Sequence, residues 1–220
     1  HVRGGASNRH GLYHSSGTFT NTGKITLGSV DSIGDWGIFS LSTFNNNTGG
    51  EISIDRCAIT GLRNGSFGFG GTFTNAGKLN IGANAGVGNW GVWNDSPFNN
   101  SGELTIDSSA VTALRHQSTT FANSGIVTIG AAAAVGEQGL WNQATFNNNA
   151  GCEIRIDRSS MEGIHNLNTF TNEGTISLGN IAGIGLVGIG NYDPGTFNNL
   201  GDGQITIDRS TEDAIRNGST

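Results

Sequence analysis

Four aspartates recur at one place in the chain, each directly after an isoleucine: Asp55, Asp107, Asp157 and Asp208. Carboxylates serve general acid–base catalysis and bind calcium, so this row is the first candidate for chemistry. Members two β-layers apart would stand about 10 Å from each other, close to the spacing of acid and base in an inverting glycosidase. A catalytic constellation occurs once, however, whereas this aspartate returns along the chain beside Arg56, Ser108, Arg158 and Arg209. The role expected of it is turn capping, with the carboxylate accepting backbone N–H groups. Calcium is the lesser alternative, because the Gly-Gly-x-Gly-x-Asp repeat that binds it is missing.

The other reactive side chains point the same way. His1, His10, His14, His116 and His165 are scattered without metal-ligand spacing, and neither a nucleophile motif nor a phosphate-binding loop is present. Cys57 and Cys152 fall at different places in their units, four units apart. Four steps span roughly 19 Å, whereas a disulfide needs Cα atoms within about 7 Å, so both are expected to be free thiols. The sequence is read as that of a protein that is not an enzyme and holds no cofactor or metal.

What positions these residues is a repeat. A Phe-x-Asn triplet occurs eight times, at Phe19/Asn21, Phe44/Asn46, Phe73/Asn75, Phe98/Asn100, Phe121/Asn123, Phe146/Asn148, Phe170/Asn172 and Phe197/Asn199, with the phenylalanines 23 to 29 residues apart. Such a period marks a solenoid, whose units bury their apolar faces only by stacking. Each Phe is followed after six or eight residues by two aliphatics spaced by two, from Ile25/Leu27 to Ile205/Ile207. A period of two means strands, and the two-residue difference leaves the facing unchanged. A third inward aliphatic closes each unit, alternately 11 and 8 residues after the pair, as at Ile38 and Leu62. The sequence therefore predicts an all-β, three-sided parallel β-helix with about 25 residues per coil and a 50-residue double-coil repeat. The coils fall near residues 19–43, 44–72, 73–97, 98–120, 121–145, 146–169, 170–196 and 197–220, in one continuous solenoid segment. The pattern starts and stops mid-coil, which gives the expectation of an internal piece of a longer repeat protein.

The Asn two residues after each Phe points inward with it, and stacked amides there can satisfy one another. Phe and Asn rows are thus read as a structural ladder. Contacts with other molecules belong to the outward rows. Directly after each closing aliphatic come Tyr13, Phe39, Arg63, Trp93, Arg115, Trp141, His165, Gly190 and Arg216, an alternation of aromatic and cationic groups. On stacked coils this is a cation–π ladder, and the same face can take sugars or a second copy of the chain. Phe67 and Phe69, on a Gly-rich insertion without counterpart elsewhere, add a candidate contact. Tyr192-Asp193-Pro194-Gly195 reads as a turn. Threonines flanking the Phe row, such as Thr18/Thr20 and Thr72/Thr74, leave an ice-binding lattice as an alternative that Pro97, Ala122 and several asparagines interrupt.

Composition narrows the classes further. Two lysines, Lys24 and Lys78, and a net charge of −6 leave no basic stripe for nucleic acid. The apolar residues alternate or are broken by some of the 37 glycines, so no transmembrane run arises.

The units Gly-Thr-Phe-Thr-Asn-Thr-Gly-Lys-Ile-Thr-Leu-Gly (residues 17–28) and Thr-Phe-Asn-Asn-Asn-Thr-Gly-Gly-Glu-Ile-Ser-Ile-Asp-Arg (residues 43–56) resemble the repeats of very large secreted surface proteins of Bacteroidetes. The likeness covers nearly the whole chain, and passengers of other bacterial adhesins share it. It implies an exported, cell-surface adhesin or extracellular filament, often a type IX cargo and akin to the grappling-hook appendages of predatory gliding bacteria. Lateral homo-oligomers and surface glycans would be the partners. A glycan- or ice-binding solenoid is the alternative, followed by a polysaccharide lyase of the pectate-lyase type, which the fold alone would permit.

Overall fold

The computed structural model describes residues 9–66 and 69–218 and is a parallel β-solenoid. Its 25 strands form three parallel sheets of eight, eight and nine strands. The first complete coil shows how each is built. Thr18–Asn21 contributes to the Phe–Asn sheet, Lys24–Leu27 to the aliphatic sheet and Trp36–Ser40 to the closing sheet. Every strand pairs with the equivalent strand one coil on, so Phe44 sits over Phe19, Ile52 over Ile25 and Leu62 over Ile38.

The alternation of facing follows directly from the pleat. Phe44, Phe73, Phe98, Phe121, Phe146 and Phe170 are fully buried, and so are the aliphatic pairs and closing aliphatics of the same coils. Consecutive Phe rings stack face to face, 4.6–5.0 Å apart at their centroids. This spacing is the interstrand distance itself, so each ring gains an offset-stacked neighbour above and below at no cost in strand geometry.

The double-coil period has its cause in the corner between the aliphatic and closing sheets. In the long corners, a glycine at positive φ follows the aliphatic pair: Gly28, Gly82, Gly130 and Gly179. A Cβ on Gly28 would lie 1.8 Å from the Asp55 carbonyl oxygen of the next coil, so the glycine is required there for close approach as well as for φ. The three additional residues carry a fourth inward side chain, Ile33, Val87, Val135 or Ile184, all buried. In the short corners an Asp is followed by Arg56, Ser108, Arg158 or Arg209, with φ of 50–56°. Cys57 pairs with Ile33 across this corner and Ser109 with Val87, so Cys57 fills a place where other coils carry serine. Cys57 and Cys152 are both free thiols.

Candidate functional site: the outer face of the nine-stranded sheet

Two amide ladders hold the coils in register, one at the end of the Phe–Asn sheet and one at the end of this closing sheet. In the first, Asn21 donates from Nδ2 to Oδ1 of Asn46 at 2.8 Å. The same bond repeats through Asn75, Asn100, Asn123, Asn148, Asn172 and Asn199 at 2.7–2.8 Å. The other Nδ2 hydrogen goes to corner carbonyls such as Gly125 O, 3.2 Å from Asn123. A buried amide in every coil is tolerated because its neighbours satisfy it.

The second ladder was not foreseen from the sequence. It stands two residues after the closing aliphatics: Asn64 to Asn94, then Asn142 to Asn166, Asn191 and Asn217, each at 2.7 Å. Its signal was a further set of asparagines at constant offset, masked where His14, Ser40 and His116 take the place. His116 interrupts it. Asn94 Nδ2 reaches His116 Nδ1 at 3.0 Å, and His116 Nε2 reaches Thr145 O at 3.0 Å. With Nδ1 accepting, the proton belongs on Nε2, which leaves no donor for Asn142. Burial pushes the imidazole down to about 4.

Three of the four aspartates in the row are occupied by backbone, and Asp208, in the last coil, is exposed. Asp55 Oδ1 accepts Asn84 N (3.0 Å) and Ala85 N (3.2 Å), Asp107 Oδ1 accepts Ala132 N and Ala133 N, and Asp157 Oδ1 accepts Ile181 N and Ala182 N. The cap lies across the coil boundary, on the corner of the following coil, rather than within its own turn. Arg56, Arg158 and Arg209 reach the opposite way, donating from Nη1 to the two corner carbonyls of the preceding coil, Gly28/Ser29, Gly130/Ala131 and Gly179/Asn180. The three capping carboxylates are buried and bonded, so no open acid–base pair is formed. Among the described residues no cluster of three or more His, Cys, Asp or Glu side chains is placed to hold a metal.

On the closing sheet the register aligns Tyr13, Phe39, Arg63, Trp93, Arg115, Trp141, His165, Gly190 and Arg216 in one row. The strands also place Trp36 and Trp90 beside it, 4.5 Å from Phe39 and 4.4 Å from Trp93 between ring centroids. The Arg63 guanidinium lies 3.6 Å over Trp93 and pairs with Asp95 at 2.5 Å. Arg63 is only 5 % exposed, which corrects its reading as an outward contact residue: its face is covered by Trp93, its Nη2 bonds Asp95 and its Nε bonds Gly65 O. Burial draws its ionisation downward and Asp95 draws it back up. Arg115 differs. It lies 4.9 Å from the Trp93 ring, 4.8 Å from Trp141 and 5.5 Å from Trp90, and among the described residues no acceptor bonds it.

Further along, Trp141 meets His165 edge-on at 5.6 Å, and His165 meets the Tyr192 ring at 4.8 Å. Gly190 is no gap in the row. The Tyr192 ring folds over it, so a Cβ on Gly190 would come within 2.5 Å of that ring. Tyr192 does enter a turn, with Gly195 N bonded to its carbonyl at 2.5 Å, but its side chain completes the ladder, which the sequence reading missed. Its hydroxyl and His165 Nδ1 both bond Glu162, and burial followed by Glu162 pushes the phenol up to about 12. Arg216 closes the row through Glu212 and Asp213. Tyr13 is 55 % and Phe69 75 % exposed. Phe69 stands on a tight loop in which Ser66 and Phe69 exchange backbone bonds, and Phe67 lies outside the described residues.

Among the described residues the face thus offers aromatic rings and one unbonded guanidinium. Comparison with protein-family models, curated proteins and solved structures finds no match, so the solenoid fold and this face are the grounds on which function is argued.

Proposed function

We propose that this chain is a structural repeat segment of an extracellular bacterial adhesin or filament, a stiff rod used for attachment or capture of a surface. The observation that carries the reading is the unbroken axial order: Phe stacking from Phe19 to Phe197 and amide bonding from Asn21 to Asn199 run through all eight coils. Contacts in such a stack join nearest neighbours, so adding coils adds length without changing the fold. Eight coil steps of about 4.8 Å give a rod roughly 40 Å long.

The repeat resemblance supports secretion to the cell surface, and the aromatic face supports lateral association of rods or contact with surface glycans. Catalysis has no part in this reading: Asp55, Asp107 and Asp157 are spent on corner caps, which leaves Asp208 in the last coil as a lone exposed carboxylate of the row. Cryo-electron microscopy of the protein as its cells release it is the test. Fibres or rods outside the cell with the closing-sheet face at the contacts are expected. A compact intracellular enzyme, or rods touching through the aliphatic sheet, would refute the proposal.

A further inference from the structure

The outer face of the closing sheet carries one charged group whose chemistry is unspent. Arg63 is neutralised by Asp95, Arg216 by Glu212 and Asp213, and Arg9 by Asp35. Arg56, Arg158 and Arg209 are bound to corner carbonyls, and Arg155 to Glu153. Arg115, half-buried between Trp93 and Trp141, bonds no carboxylate or carbonyl among the described residues. Its Nε is buried without a partner, and its terminal nitrogens bond no acceptor among the described residues. Two unbonded terminal nitrogens can meet a carboxylate end-on, one opposite each of its oxygens.

The surroundings say which carboxylate. Trp93 and Trp141 present half-buried rings on either side, and an amide relay runs beside them: Trp93 Nε1 to Gln117 Oε1, and Gln117 Nε2 to Gln143 Oε1 at 3.1 Å. Aromatic planes for C–H faces together with amides for hydroxyls suit a sugar ring better than a peptide side chain. The chain's net charge of −6 disfavours a densely charged polyanion, while one carboxylate on an otherwise neutral glycan matches the one guanidinium left unbonded among the described residues.

We infer that Arg115, Trp93 and Trp141 form a binding site for a glycan bearing an isolated carboxylate, with Arg115 clamping the carboxylate and the tryptophans flanking the sugar. This rests on reading the face as a contact surface, and not on the rod itself. An internal hexuronate and a terminal nonulosonate offer the same group.

Intrinsic fluorescence reads the site directly, because three of the four tryptophans, Trp90, Trp93 and Trp141, surround Arg115. The wild-type chain is titrated with a glucuronate-bearing xylo-oligosaccharide against its neutral counterpart, and with sialyllactose against lactose. A saturable change with at least one acidic probe, half-complete near ~1 mM, and none with its neutral partner is expected; which acidic probe binds separates the two sources. Arg115→Gln should weaken binding at least about tenfold with its melting temperature kept, and Arg115→Lys should weaken it less. No response to either acidic probe at ~10 mM, or equal response to the neutral partners, overturns the site whether or not the variants fold. Wild-type binding by Arg115→Gln overturns it as well. Dimers in sedimentation that dissociate in Arg115→Gln would overturn it in favour of a second copy on this face. Failure of the titration leaves the rod standing, whereas binding by a protein that forms no rods would refute the rod alone.

Discussion

The interruption of the second amide ladder makes the rod sensitive to acid at one coil. His116 is fully buried and accepts from Asn94 at Nδ1, so protonation would set donor against donor without a solvent escape. Its neighbours are Asn94, Thr145 and Thr119 and the edges of Phe121 and Phe146, none of them titratable. The folded-state value of about 4 stands below the 6.5 of the unfolded chain. The unfolded state therefore binds the extra proton between these values, and stability falls as pH falls through that window and is complete above it. From pH 7.5 to 4.5 the linkage costs about 2.5 kcal/mol. Asn at this position supplies the two donors and one acceptor that the neighbouring Asn94 and Asn142 already use, so His116→Asn should remove the loss while changing neutral-pH stability by less than about 1.5 kcal/mol. Urea denaturation followed by circular dichroism at both pH values, on wild type and variant, compares the two losses, and groups common to both proteins cancel. If His116→Asn loses as much stability as the wild type on acidification, the reasoning fails.

Asn123→Ala should destabilise by roughly 2–4 kcal/mol, because it orphans Asn100 Nδ2 and Asn148 Oδ1 in a buried row; an unchanged urea midpoint would contradict the ladder. Phe121→Ala should cost about 3–5 kcal/mol through the cavity left between Phe98 and Phe146, whereas Phe69→Ser, at an exposed loop tip, should leave the thermal midpoint within about 1 °C. Ser108→Arg should stabilise by about 0.5–1 kcal/mol in the same assay. Ser108 shares the positive φ of Arg56, Arg158 and Arg209, and an arginine there would cap the Gly82 and Ala83 carbonyls that no side chain among the described residues now reaches. A lowered midpoint would show that the corner has no room for it.

The facing of the strands and the double coil were legible in the sequence because both rest on integer offsets: two along a strand, and 11 or 8 across the corner. The corners themselves were less legible. Ile33, Val87, Val135 and Ile184 sit where no period of two applies, and the aspartates reach a segment about 25 residues on, which local turn rules do not describe. The candidate face was legible as a row and illegible as a set of pairings. Arg63 and Arg115 occupy equivalent positions, and only Asp95, brought beside Arg63 by the next coil, makes one buried and bonded while the other stays open. Tyr192 shows the same limit, since a ring two residues away replaced the side chain that Gly190 lacks.

The amide ladders also give the molecule a direction. Every Asn–Asn bond in both runs from Nδ2 of one coil to Oδ1 of the coil nearer the C-terminus, without exception among the described residues. Their dipoles therefore add instead of cancelling, in the way peptide dipoles add along an α-helix, with the positive pole toward the C-terminus. Two such molecules lying side by side have their dipoles opposed, and so attractive, only when antiparallel, which makes the amide row an electrostatic compass for packing that no surface residue reveals.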